Sequence, residues 1–276
     1  MCDYFGISRC GYYKGSKQQE SLILQETLVV DLVQEKRRLM PRLGGKKLYY
    51  LLYDDLQAVG KIGRDKFFDI LRNNNMLIER KRSYTKTTQS YHRFRKWKNL
   101  ISKLAIDRCN QVWASDITYL RTLNGFVYLF LITDMYSRKI VGWNLSDSLS
   151  IEGGLKAVTM ALKANKGGIE DLIHHSDRGI QYCSHEYVQL LQKHDIRISM
   201  TEENHCYENS LAERVNGILK DEFLLNSTFN NATQALSACV SAINTYNEHR
   251  PHWALKLKTP CHVHNIAQKV PSRIIS

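Results

Sequence analysis

A chain of 276 residues, 43% hydrophobic and 10% aromatic, holds enough apolar material for two or three small domains, which excludes a disordered polypeptide. The net charge of +12 calls for an anionic partner. MCDYFGISRC lacks a signal-peptide core and no run of about 18 apolar residues occurs, so a cytoplasmic protein without a membrane partner is expected.

The charge is unevenly placed: residues 1–110 hold 23 Lys+Arg against 11 Asp+Glu, and the remainder holds 16 of each. A basic front joined to a balanced back reads as a DNA-gripping module attached to a domain with another task. From about 19 to 80 the apolar spacing is helical (Leu22, Leu28, Leu32; Leu48, Leu52, Leu56; Phe67, Ile70, Leu71), broken by Gly44-Gly45, Gly60 and Gly63. Short helices with Lys46, Lys47, Arg64 and Lys66 near their turns fit a helix-turn-helix reader of DNA; the alternative is a plain bundle with solvated charges. Between Arg80 and Lys98 come eight basic residues, among them Arg80, Lys81, Arg82, Arg93, Arg95, Lys96 and Lys98, interleaved with Tyr84, Tyr91, Phe94 and Trp97. That composition suits a linker lying along phosphates.

From residue 111 the pattern alternates. QVWASDITYL, FVYLFLITDMYS and KIVGWNLS read as three antiparallel strands, followed by a helix at 151–165, a strand at 172–175, a helix at 184–194, a strand at 196–200 and a helix at 210–225. This is the order of a ribonuclease-H-like α/β core with a mixed five-stranded sheet. A last helix at about 232–247 leads into a polar, aromatic tail. The implied organisation is a helical, helix-turn-helix-like region at 1–79, a basic linker at 80–104, the catalytic core with its C-terminal helix and tail at 105–265, and an end segment at 266–276. The seven cysteines, odd in number and never spaced Cys-x-x-Cys, read as reduced thiols. Cys261-His262-Val263-His264 is the nearest approach to a metal pattern. It lacks a second ligand pair and reads as ordinary surface residues.

Three acids stand out. Asp116 interrupts a strand, Asp177 closes the apolar run ending in HHSD, and Glu213 opens a helix after 35 intervening residues, enough for one helix and one strand. Converging carboxylates without thiol ligands are hard donors for Mg²⁺ or Mn²⁺. Two such ions about 4 Å apart serve in-line phosphoryl displacement. Each acid also has a plain reading: an outward-facing strand residue for Asp116, a turn residue for Asp177, and a capping box Ser210-Leu211-Ala212-Glu213 for Glu213. His174 and His175 alternate across their strand, so at most one of them faces the acids.

QVWASDITYL, HHSDRGIQYCS and NHCYENSLAERVNGILKDEF, followed by YNEHRPHWALKLKTP, together resemble the transposase (OrfB) of the IS-three family of bacterial insertion sequences, in the retroviral-integrase-like DDE superfamily. The resemblance implies that Asp116, Asp177 and Glu213 are the catalytic, metal-holding triad of a Mg²⁺-dependent polynucleotidyl transferase that cleaves and joins DNA with two ions per site, Mn²⁺ substituting. It implies Lys220, seven positions after Glu213, as a DNA contact, and Tyr246, Asn247, Arg250, Pro251 and His252 as a tail motif used in packing. Implied partners are double-stranded DNA at element ends and target, a dimer or higher multimer of the chain itself, and an upstream helix-turn-helix protein joined by frameshift fusion. The implied setting is a bacterial, nucleoid-associated one. The chain departs from the family at Glu208-Asn209-Ser210, usually Asp-Asn-Ala, and at the acidic Thr201-Glu202-Glu203. A repressor or decayed transposase that binds DNA without cutting it is the alternative function, and a hydrolysing ribonuclease-H-type nuclease a third.

Overall fold

The computed structural model describes residues 6, 8–79, 96–165, 169–202 and 209–269, the last three by backbone alone. Contacts gather into two compact units, Met1–Ser83 and Tyr84–Ser276.

The first unit is helical: α1 (Arg9–Leu39), α2 (Gly45–Leu51), α3 (Tyr53–Gly60) and α4 (Arg64–Asn73). Helices of seven to ten residues such as α2–α4 are too short to persist alone. They are held by a shared core in which Val29, Val33, Leu48, Leu52, Leu56, Ile62, Phe67 and Leu71 are fully buried. α1 begins about ten residues earlier than the apolar spacing predicts. Its start is fixed by a polar cap, the Gly11 amide donating to Ser8 Oγ at 3.0 Å, which hydrophobic periodicity does not register. α3 and α4 are joined by a three-residue turn at 61–63, where Lys61 ends α3 in the left-handed conformation (φ 52°). That connection has helix-turn-helix form.

The second unit carries a five-stranded sheet in the order β3-β2-β1-β4-β5. β1 (Val112–Thr122), β2 (Gly125–Asp134) and β3 (Ile140–Ser146) form an antiparallel meander, while β4 (Ile173–Ser176) and β5 (Arg197–Met200) add in parallel. α5 (Ile151–Ala164) and α6 (His185–Lys193) cover one side, packing around Trp113, Phe130, Ile132, Val158, Tyr187 and Leu191. Gly142 lets α5 approach β3 closely, since a Cβ there would stand 2.3 Å from the Ala157 carbonyl oxygen. Alternation along β1 sends Trp113 to that side and Asp116 to the other, where α7 (Ser210–Glu222) packs.

α8 (Ala232–Glu248) follows. Its tail motif is structural: Tyr246 Oη donates to the Arg138 carbonyl at 3.0 Å, and the Asn247 side chain both accepts from the Ile140 amide (2.9 Å) and donates to the Ile140 carbonyl (3.0 Å). Arg250 forks onto Glu222 at the end of α7, at 2.7 and 2.8 Å. The polar tail then holds a helix absent from the sequence reading, α9 (Pro260–Lys269). Its signal is the pair Thr259-Pro260, a capping residue followed by proline at the first helical position. His264 on α9 is fully buried, which corrects its reading as a surface residue. Among the described residues no helix is long and apolar enough to cross a membrane.

Candidate active site

The parallel register of β1 and β4 pairs Ala114 with His175, so two residues further along Asp116 and Asp177 emerge side by side at the end of β4. Asp116 sits opposite Leu131 in the meander and is half-buried. Its Oδ1 accepts from the Ile117 amide at 2.9 Å and its Oδ2 from Asn216 Nδ2 at 2.7 Å. Asp177 is oriented by its own turn, Oδ1 accepting from the Gly179 amide at 3.0 Å. α7 brings in the third acid: Glu213 is exposed, one turn ahead of Asn216 on the same helix face. α7 begins at Ser210 after Asn209 with no side-chain cap hydrogen bond, so the capping-box reading of Glu213 is not realised.

The three carboxylates feel one another. Asp116 is raised to about 7, first by burial, then by the Asp177 charge and least by Glu213, against the hydrogen bonds from Asn216 and the Ile117 amide. Glu213 is raised by burial and then by Asp177. Lys220, two turns along α7, places Nζ 4.5 Å from the centre of the Tyr119 ring and feels the Asp116 charge. Asn209 Nδ2 donates to the Ser115 carbonyl at 3.1 Å, tying the start of α7 to β1 next to Asp116.

Sequence reasoning missed Asn216, whose only sequence signal is its i+3 spacing from Glu213. It donates to Asp116 and so favours the charged form of that carboxylate against burial, and its own Oδ1 is buried without a hydrogen-bond partner among the described residues. Where a carboxylate ligates a metal, loss of the residue that orients it costs roughly 10–100-fold in metal affinity or activity. Asn216→Ala is therefore expected to lower strand joining by that factor and to shift its metal dependence to higher concentration. A metal titration of the joining rate checks this, and an unchanged midpoint would remove the supporting role.

His174 and His175 are both buried and engaged elsewhere. His174 Nε2 lies 2.6 Å from Ser115 Oγ and 2.9 Å from Tyr187 Oη, and burial lowers its pKa to about 3; His175 Nδ1 lies 2.9 Å from Ser199 Oγ. His174 thus packs on the α5–α6 side of the sheet, while alternation puts His175 on the side of Asp116 and Asp177.

Of the expected DNA contacts, Lys46 and Lys47 stand on the first turn of α2 and Arg64 and Lys66 on the first turn of α4. Lys46, Arg64 and Lys66 are exposed, Arg64 at 3.3 Å from Asp65 and Lys66 donating to Gln25 at 3.0 Å. Lys96 and Lys98 are exposed on either side of half-buried Trp97, which packs against the core of the second unit. With Arg178 and Glu202 they line an open depression of about 460 Å³ beside Asp177, and Arg178 Nε is fixed on the Thr201 carbonyl at 2.7 Å. Arg80, Lys81, Arg82, Arg93 and Arg95 lie outside the described residues.

Residues 107–206 match the protein family described as Integrase core domain, and residues 194–260 match a second family of the same description. The chain is 33% identical to the insertion element IS600 uncharacterized 31 kDa protein of Shigella sonnei, over 91% of this chain and 93% of that one. It is 30% identical to the transposase InsF for insertion sequence IS3A of Escherichia coli (strain K12), over 83% of this chain and 80% of that one. Its fold is like that of a simian T-cell lymphotropic virus intasome chain solved by cryo-electron microscopy in complex with PP2A regulatory subunit B56 gamma. The TM-score is 0.50 at 18% identity, covering 84% of this chain and 77% of that one.

Proposed function

This chain belongs to the IS3-family transposases, DDE enzymes of the polynucleotidyl-transferase type, and from that premise we propose that Asp116, Asp177 and Glu213 hold two divalent cations while DNA strands are cut and joined. The observation that carries the reading is convergence: the β1–β4 register sets Asp116 beside Asp177, α7 brings Glu213 to the same side, and burial together with the charges of Asp177 and Glu213 raises Asp116 to about 7, a charge burden that a cation relieves. The donors are hard oxygens, which fits Mg²⁺, with Mn²⁺ able to substitute. Bound there, the ions supply Lewis-acid activation of the attacking oxygen and charge stabilisation at the leaving one.

The chain's own residues supply position. Asn216 and the Ile117 amide fix the two oxygens of Asp116, and the Gly179 amide fixes Asp177. Lys220, steadied over Tyr119, offers its ammonium to a DNA phosphate. The nucleophile is water for cleavage and a DNA 3′-hydroxyl for joining, so no covalent protein intermediate is needed. The proposed partners are double-stranded DNA at element ends and target, further copies of the chain, because two ends must be processed together, and an upstream helix-turn-helix protein supplied by frameshift fusion.

The test is cleavage and joining of labelled element-end DNA with Mg²⁺ or Mn²⁺. Joined product supports the proposal. DNA that is bound but never cut, even by a fusion with the upstream protein, replaces it with the non-catalytic DNA-binding reading.

A pH dependence follows. Without a cation, Asp116 keeps its proton up to about 7, whereas the unfolded chain releases it in the ordinary carboxylate range. The folded state then holds the extra proton, so this group makes the metal-free fold lose stability as pH rises from about 4 to 7. Cation binding needs the ionised form. Mg²⁺ affinity is expected to rise between pH 6 and 8 with about one proton released, the one that Asp116 holds up to about 7. Calorimetry in buffers of different ionisation enthalpy reads that proton, and a pH-independent affinity would contradict the assignment.

A further inference from the structure

Apart from the three carboxylates, Cys109, Asp134 and His264 form a second convergence of titratable groups. Cys109 lies just before β1, Asp134 ends β2 opposite Trp113, and His264 comes from α9. All three are buried, and one donor atom from each lies within 4.8 Å of the others. His264 Nδ1 is 3.9 Å from Asp134 Oδ1, and the Cys109 thiol is hydrogen-bonded to Asp134 and Ser137.

The surroundings orient these donors. Asn165 Nδ2 donates to the Ala161 carbonyl at 2.9 Å, which turns Asn165 Oδ1 toward His264 Nε2 at 3.1 Å. The imidazole therefore carries its proton on Nε2, and its Nδ1 lone pair faces the cluster at 3.0 Å from Ser137 Oγ; a hydrogen-bond acceptor on the other ring nitrogen is the arrangement that metal-ligating histidines adopt. Asp134 is held equally firmly: Oδ1 accepts from the Ser137 amide (2.7 Å) and hydroxyl (2.6 Å), and Oδ2 from the Asn110 amide (2.7 Å).

We propose that Cys109 Sγ, Asp134 Oδ and His264 Nδ1 form a structural zinc site, distinct from the carboxylate centre, with the Ser137 hydroxyl adjacent as a fourth donor. A thiolate, an imidazole and a carboxylate make a borderline-soft set that suits Zn²⁺ rather than Mg²⁺. Bond lengths of about 2.0–2.3 Å place tetrahedral donors roughly 3.3–3.7 Å apart, so the donors, 3.9 Å apart for His264 and Asp134 and within 4.8 Å for all three, must draw together by side-chain rotation as the ion binds. Charge also balances. On binding, the Cys109 S–H bond breaks, an S–Zn bond forms and the proton leaves to solvent; thiolate and carboxylate then offset the dication in a site closed to water. The ion would clip α9 and the entry to β1 onto the end of β2. This inference does not depend on the catalytic reading.

The test uses the full chain without a metal-binding tag, carrying Asp116→Asn to remove the carboxylate centre. Zn²⁺ alone is titrated in, excess is removed by gel filtration, and bound metal is measured by elemental mass spectrometry. One zinc per chain is expected, and Co²⁺ in its place should give a thiolate-to-cobalt charge-transfer band. Zinc and band should vanish in Cys109→Ser and in His264→Gln, and persist in Cys261→Ser. Substoichiometric zinc, or a band that survives Cys109→Ser, would overturn the site and leave a metal-free hydrogen-bond network. Should neither variant fold, the native mass of the zinc-titrated chain decides: it must be one zinc heavier and fall on chelation.

Discussion

Glu213→Gln is expected to reduce cleavage and joining by about a thousandfold or more while DNA binding is retained. The amide keeps the shape of the side chain, and Glu213 is exposed on α7 without a capping bond to lose, so the fold should not register the change. What disappears is one anionic ligand of the proposed metal centre, and metal stabilisation of a phosphoryl transition state contributes several kcal/mol. At 1.36 kcal/mol per tenfold, that is about three orders of magnitude. Asp116→Asn should be equally inactive, yet its metal-free fold should melt higher, because the substitution removes the most strongly raised carboxylate of the cluster. Single-turnover joining assays beside thermal melts separate the two effects. A Glu213→Gln enzyme within about tenfold of wild type would remove Glu213 from the metal centre.

The largest expected loss of stability lies at Arg250. Its guanidinium meets both oxygens of Glu222 and also contacts His252 Nε2 at 2.9 Å. The Arg250 side chain is 4% exposed and that of Glu222 22%. Arg250→Met would remove the guanidinium that meets both oxygens of the partly buried Glu222 carboxylate. Breaking a buried pair costs about 3–5 kcal/mol, and the residual solvation of Glu222 argues for about 3. In a chain of this size that corresponds to a melting point lower by roughly 6–12 °C. Replacing both partners, Arg250→Met with Glu222→Leu, should recover most of the loss, because the uncompensated charge is then gone. Thermal denaturation of the double-mutant cycle measures the coupling, and a single-variant loss below about 1 kcal/mol would show the pair to be no more than a surface contact.

The strands of the second unit were legible because their signal is local: QVWASDITYL and FVYLFLITD alternate over consecutive residues, and Asn124-Gly125 marks the turn between them. Asp116 was legible as an exception to that alternation. Lys220 was singled out by the family resemblance, and helical spacing adds only that it lies on the face of Glu213. Other features depend on partners far away in sequence. Nothing local distinguishes His264 from its exposed neighbour His262; its burial comes from meeting Ser137 and Asn165, 127 and 99 residues earlier. Asn216 reads as one more polar helix residue until β1 supplies Asp116, 100 positions away. The early start of α1 rests on one polar cap, and α9 begins at a proline inside a segment that composition marks as polar tail.

The Asn247 side chain bonds both the amide and the carbonyl of Ile140 at the start of β3, an edge strand of the sheet. Those two groups are the ones an incoming strand would use, and the asparagine amide occupies them as a one-residue imitation of a neighbour. Sheet extension from one molecule to the next is thereby blocked at that point of the edge. Any association at that point of the edge is left to side chains, whose contacts can be made and released without unpairing the backbone.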